Sequence, residues 1–382
     1  MIGDFGGIVR LIPRQTVRPA TAGEVAAVLR AARVPVVPRG YGHSTYGQAQ
    51  VADGVLLDMR GLRTVHEVRP DRVVVDAGAT WREVLDATLP RGRTPPVLTD
   101  YLDVTVGGTL AAGGVGGTSH RYGVQADQVL ALEVATPAGE VVTCSPEENR
   151  ALFDAVRAGL GRHGVITRAV LRLVPAPERV RSFKLLYATA GALLDAQRRI
   201  PADHISGQAK LGLGLRYELT AVCHDPGRRI DGAFEEEELP YAEFADRMRP
   251  DVEELIRLGE WARPHPWGIV FLPARRAAEV IETTLAETGP TGLGLSGVVL
   301  ISPLTVRDVP ALRVPADPVM FALLRTASPG AASPDAMVAA NRRLHERARR
   351  VGGTRYPIDA APPDPHRPVR TPPPEGADQE SR

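Results

Sequence analysis

Cysteine is almost missing from this chain: Cys144 and Cys223 are the only two in 382 residues. With no CxxC pair and no histidine-rich spacing, a disulfide framework or zinc site is excluded, and a reduced, cytoplasmic setting is the expectation. Lysine is as scarce, occurring only at Lys184 and Lys210, so arginine carries the positive charge. That usage matches GC-rich bacterial coding. An excess of one charge is lacking too. The net charge is +1, which removes any global attraction to nucleic acid or an anionic membrane. No apolar run reaches the roughly 20 residues that a membrane span needs. The start, Met1-Ile2-Gly3-Asp4-Phe5, has no basic region followed by an apolar stretch, so no secretory signal is read there. These absences predict a soluble protein.

What is present suits a globular fold, with 43% hydrophobic and 24% charged residues. The length allows two domains. Up to about residue 180, short β-rich runs alternate with glycine turns and a few helices. Thr21 reads as the N-cap of a helix running through Leu29 and Ala32. Val55-Leu56-Leu57-Asp58 and Val73-Val74-Val75-Asp76 read as buried strands, and Trp81, Val84, Leu85 and Leu89 share one helical face. Leu130–Val134 and Val141–Cys144 flank the turn Pro137-Ala138-Gly139-Glu140 as a hairpin. From about Val180 the character changes, with the acidic run Glu235–Glu238, an aromatic patch from Trp261 to Trp267, and apolar runs ending near Leu304. Pro334 to Val351 is an arginine-rich amphipathic helix. Interleaved strands and helices predict an α+β or mixed α/β class. The expected division is residues 1–180, 181–330 as a substrate-facing cap, 331–360 as a helix returning to the first domain, and 361–382 as a disordered proline-rich tail.

The most informative stretch is Arg39-Gly40-Tyr41-Gly42-His43-Ser44, followed by Gly47-Gln48, placed straight after the apolar run Val34–Val37. Glycines there let the backbone pass close to a bulky ligand, and they present His43 at the point of approach. Ser44 has no Ser-His-Asp arrangement to support hydrolysis. A second stretch, Val106 to Gly117, holds six glycines in twelve residues. It reads as backbone open to a phosphate, in the manner of an anion-binding nest. Asp100, just upstream in Thr99-Asp100-Tyr101, becomes a candidate general base by its position. A third stretch, Gly159-Leu160-Gly161-Arg162-His163-Gly164, is a literal GxGxxG. A dinucleotide site needs a strand before it and a helix after it, and here the order is reversed. It reads instead as a helix end turning into a strand.

Together these segments resemble the flavoproteins of the vanillyl-alcohol oxidase superfamily, and most closely the cytokinin dehydrogenases. The resemblance runs from Asp4-Phe5-Gly6 to about Pro177 and includes Thr105-Val106-Gly107-Gly108-Thr109-Leu110 and Gly164–Ala169. It continues more weakly in Tyr241–Arg247 and in Pro264-His265-Pro266-Trp267 with Phe271-Leu272-Pro273. It implies a two-subdomain PCMH-type FAD-binding domain under an α+β substrate cap. It also implies FAD attached covalently through His43 and Asp100 as catalytic base. Contacts to FAD would fall on Gly40, Tyr41, Gly42, Ser44, Gln48, Ala49, Asp100, Thr105, Gly107, Gly108, Ala111, Val115, Ile166 and Tyr356. Asp103 stands where doubly attached relatives have cysteine, so a single attachment is implied.

The resemblance has two departures. The family's substrate-binding glutamate is replaced by Ser206 in the closest stretch, and a missing hydrogen-bond partner loses the matching discrimination. The family's Ser-Pro-Gly-Gln segment beyond Tyr356 is absent, with proline-rich sequence in its place. The implied activity is an FAD-dependent oxidoreductase acting on a C–N or C–O carbon of a small, bacterial specialised metabolite. Ser206 and Trp267 are the substrate-side candidates, with oxygen or another molecule as electron acceptor. No nucleic-acid, membrane or metal partner is expected. Cytokinin oxidation itself, a flavin-dependent cyclisation with or without redox chemistry, and a flavin-free binding protein stay open as alternatives.

Overall fold

The valine- and isoleucine-rich runs become strands in three main sheets. The computed structural model describes residues 3–212 and 214–362, so the predicted tail lies outside the described residues beyond Pro362. A small parallel sheet has Val55–Asp58 at its centre, flanked by Gln15–Val17 and Val36–Arg39. Parallel strands need crossovers. The helix Ala22–Ala31 provides the first one, with Thr21 capping it by accepting from the Glu24 N–H. The five-stranded antiparallel sheet runs Val65–Val68, Arg72–Asp76, Val165–Arg172, Val129–Ala135, Val141–Cys144. Its core gathers Val73, Val75, Leu132 and Val134 against Trp81, Val84 and Leu85 of the helix Trp81–Thr88. Thr80 and Glu83 close a capping box at that helix's start.

The remaining sheet has eight antiparallel strands, in the order Glu235–Pro240, Arg179–Tyr187, Gly214–Cys223, His204–Gly212, Val298–Pro303, Pro318–Leu324, Gly268–Pro273, Thr354–Arg355. The period-two alternation of Gly268–Pro273 shows how it is used. Val270 and Leu272 face the helices Ala190–Arg199, Ala274–Thr288 and Pro334–Arg350, while Ile269 and Phe271 face Ala112, Val124, Ala126 and Ala158 of the first half. One face therefore makes the cap's own core and the other lies on the first domain. Burying one phenylalanine such as Phe321 contributes roughly 1.5–3 kcal/mol, so both faces matter. The helix Pro334–Arg350 lies on the cap sheet, and residues 356–360 beyond it reach the first domain. The acidic run Glu235–Glu238 forms the sheet edge and is matched by Arg179, Arg181 and Lys184 on the neighbouring strand.

Two glycine-rich stretches differ from each other. Gly159–Gly164 links the helix Arg150–Val156 to the strand Val165–Arg172, the reversed order expected from sequence. Val106–Gly117 was expected as an open backbone nest, yet its first half is the helix Val106–Ala112. The physical reason is that Thr105 caps it by accepting from the Gly108 N–H, while the Gly107 N–H donates to the carbonyl of Ala77 at 2.7 Å. These donors are spent on the fold. Only Gly113–Gly117 is left as a turn.

Candidate active site

The strand Val36–Arg39 delivers its last residue to the turn that carries His43. Gly42 has φ +69°, a left-handed angle that suits glycine, and a Cβ there would strike the Arg39 guanidinium at 2.4 Å. A Cβ on Gly40 would meet Thr105 Oγ1 at 2.1 Å, so the first glycine motif lies directly on the start of the second. The N-terminal segment braces the turn: the Phe5 N–H donates to the Gly42 carbonyl at 2.8 Å and the Gly6 N–H to that of Ser44 at 3.2 Å. Buried Asp4 accepts from the Gly47 N–H at 2.5 Å, and burial pushes its carboxyl above the usual range.

The His43 ring stacks on Phe5 with centroids 4.1 Å apart, and Phe5 stacks on His265 at 3.9 Å. Tyr101 stands 5.1 Å, Trp267 5.5 Å and Trp261 5.9 Å from the His43 ring. Loss of hydration in this aromatic nest, helped by nearby His265, pulls the pKa of His43 down to about 3. Burial likewise takes His265 to about 4. Both rings are neutral at physiological pH. Tyr101 brings Asp100 with it, and Asp100 Oδ1 pairs with the Arg247 guanidinium of the cap. Arg247 also lies 4.6 Å over the Phe244 ring and donates to the Phe244 carbonyl.

The other sequence candidates divide. Thr105, Gly107 and Gly108 sit at the capped helix start, and Ala111 accepts from the Leu160 N–H at its end. Tyr356 is buried, its hydroxyl accepts from Gly114 N–H beside Val115, and burial pushes its pKa up to about 12. The Gln48 amide, next to Ala49, donates to the carbonyls of Pro357 and Asp359. Tyr41 is 47% exposed and lies under the Arg60 guanidinium. Ile166 is in the five-stranded sheet opposite Val134. Ser206 pairs with Thr220 in the cap sheet, two residues from His204. Phe5, Trp261, His265 and Arg247 had no role assigned from sequence. The aromatic patch and the Asp4-Phe5-Gly6 match were signals for three of them, and for Arg247 the signal was the Tyr241–Arg247 match.

The residues fit a large cofactor. Buried Ser44 Oγ and Arg39 Nη1 have no partner in the protein, and an unmet buried donor or acceptor normally implies a ligand or water. Gly42 lies against that guanidinium, and aromatic faces surround the neighbouring His43. Among the described residues no group of three or more histidine, cysteine or carboxylate side chains could hold a metal, and no helix is long and apolar enough to cross a membrane.

Comparison with known proteins agrees with this architecture. Residues 13–145 match the FAD-binding domain family, and residues 228–354 match the family described as cytokinin dehydrogenase 1, FAD and cytokinin binding. An uncharacterized oxidoreductase of the fasciation locus of Rhodococcoides fascians is 42% identical, covering 95% of this chain and 88% of that protein. Rice cytokinin dehydrogenase 10 is 35% identical over 76% of this chain and 66% of its own length. Rice cytokinin dehydrogenase 7 is 34% identical over 76% of this chain and 68% of its own. With an FAD-binding domain under a cytokinin-dehydrogenase-type cap, the chain belongs to the FAD-dependent oxidoreductases of the cytokinin dehydrogenase family.

Proposed function

We propose that this enzyme oxidises a small amine or alcohol, with Asp100 as general base, His43 as the covalent attachment point of FAD, and the cap residues as the substrate wall. The observation that carries this reading is the Tyr101 ring, next in sequence to Asp100, which stands 5.1 Å from the His43 ring and 5.2 Å from Trp261, while Trp267 stands 5.5 Å from His43. FAD supplies the two-electron acceptor when bound. Asp100 takes the proton of the substrate N–H or O–H through the oxygen that Arg247 leaves open. The C–H bond on the adjacent carbon breaks with its electron pair, so the substrate loses a hydride and a proton and gains a C=N or C=O bond. Oxygen or another acceptor then removes the two electrons. The neutral imidazole of His43 has a lone pair for bonding to carbon, which a protonated ring would lack. Trp261 and Trp267 favour a flat, apolar substrate. The cofactor contacts and the division at residue 180 belong to this proposal.

Ser206, where the family's glutamate is expected, favours a substrate outside the cytokinins, such as a bacterial specialised metabolite. Cytokinin oxidation is the second reading, favoured by the cytokinin-binding family match of residues 228–354. Anaerobic mixing separates the readings. A cytokinin that bleaches the flavin supports the second one, while bleaching by another amine or alcohol alone supports the first. Asp100→Ala should keep its flavin yet be reduced roughly 10²- to 10⁴-fold more slowly by the same substrate. An unchanged rate removes Asp100 as base.

A further inference from the structure

The segment after the last long helix makes an unusual set of cross-chain bonds. The Ile358 carbonyl accepts from the backbone N–H and the Oγ1 of Thr45, at 3.2 and 2.9 Å. The carbonyls of Pro357 and Asp359 accept from the Gln48 amide at 3.1 and 2.9 Å. The Tyr356 hydroxyl accepts from Gly114 N–H at 3.3 Å. Ala360 N–H donates to the Trp267 carbonyl at 2.7 Å. Five consecutive residues thus touch the His43 turn, the glycine turn and the aromatic wall.

Asp359 lies under this segment with a fully buried side chain. One carboxylate oxygen pairs with Arg355, and the other meets His345 Nε2 at 2.5 Å. Removing a carboxylate from water is costly, and an apolar residue of similar size is often as stable in such a place. The geometry says what the charge achieves. Arg355 also donates to the carbonyls of Ala361 and Pro362, so the ion pair coils the chain back and turns the carbonyls of residues 357–359 toward Thr45 and Gln48. Buried Asn341 adds a second brace, donating to the carbonyls of Trp267 and Ala360 at 3.0 and 3.1 Å.

We propose that residues 355–360 form a strap that shapes the His43 turn for FAD, and that Asp359 is its positioning residue. FAD binding follows from the family and does not depend on covalent attachment or on Asp100.

The test measures flavin bound per polypeptide and the affinity for added FAD. Asp359→Asn keeps the shape but removes the charge. Loss of a charged hydrogen bond at a supporting position predicts flavin content or FAD affinity about tenfold to a hundredfold lower. Leu344→Ala is the control, a cavity in the core on the same helix. It should lower the melting temperature while keeping the flavin. Thr45→Val removes one strap bond with little change of volume and should weaken FAD less. Combined with Asp359→Asn it should add nothing, because both act through one turn. If Asp359→Asn does not fold, His345→Gln carries the test with the same expected direction. Wild-type flavin content and affinity in the charge-removing variant would overturn the proposal. So would an equal flavin loss in Leu344→Ala at matched melting temperature, or full additivity with Thr45→Val.

Discussion

The two sides of the candidate site are built from different material. The first domain presents backbone: Gly40 pressed on Thr105, Gly42 in a left-handed turn, and a helix start whose donors are capped. The cap presents side chains: Trp261, His265 and Trp267 as rings, and Arg247 as a charge on Asp100. Backbone tolerates almost no added atom, while side chains can be exchanged. The first side thus suits a cofactor of constant shape, and the second a substrate that varies between relatives. Added atoms on the first side's glycines should therefore cost flavin, and truncations of the cap's side chains should cost turnover.

The strongest challenge to that contrast is Gly40→Val. Its Cβ would lie 2.1 Å from Thr105 Oγ1, so the two motifs must separate, and the purified variant is expected to hold no flavin by absorbance. A fully yellow variant would mean that the close approach is not needed. Next in size is Trp261→Ala, on the cap side. It should keep its flavin and lose on the order of tenfold or more in reduction rate, in line with truncating an aromatic anchor. Loss of flavin would merge the two sides into one. Arg247→Gln should slow reduction by about fivefold to tenfold, a modest effect because the pair with Asp100 is partly exposed and screened.

The smallest effect is on stability against pH. His265 is buried and its pKa is lowered from 6.5 to about 4. The unfolded chain therefore binds more protons than the folded one between those values, and stability falls as pH drops from about 6.5 toward 4. The slope is at most about 1.4 kcal/mol per pH unit for this one group. His265→Gln should flatten it in melting curves at pH 7, 6 and 5, and an unchanged slope would assign it to other groups such as buried His204.

Much of this was legible in the sequence because it is local. The hairpin around Pro137–Glu140, the Thr21 cap and the strand before His43 depend on neighbouring residues, and all appear. The reversed GxGxxG was legible for the same reason, since only the order of helix and strand mattered. The helical first half of Val106–Gly117 was not legible in the sequence, because the Gly107 N–H donates to the carbonyl of Ala77, thirty residues away. The histidine–phenylalanine–histidine stack joins residues 5, 43 and 265. No period or spacing reports contacts of such separation. The same holds for Arg247 on Asp100 and for Asp359, whose role rests on carbonyl directions that only the fold fixes.

The central claim is that the glycine-flanked histidine holds the flavin. Acid denaturation of the purified enzyme, followed by separation of polypeptide from supernatant, tests it most directly. The yellow colour is predicted to stay with the polypeptide and to be lost from it in His43→Ala. Flavin that washes from the wild-type polypeptide, or stays on the variant, would contradict the attachment.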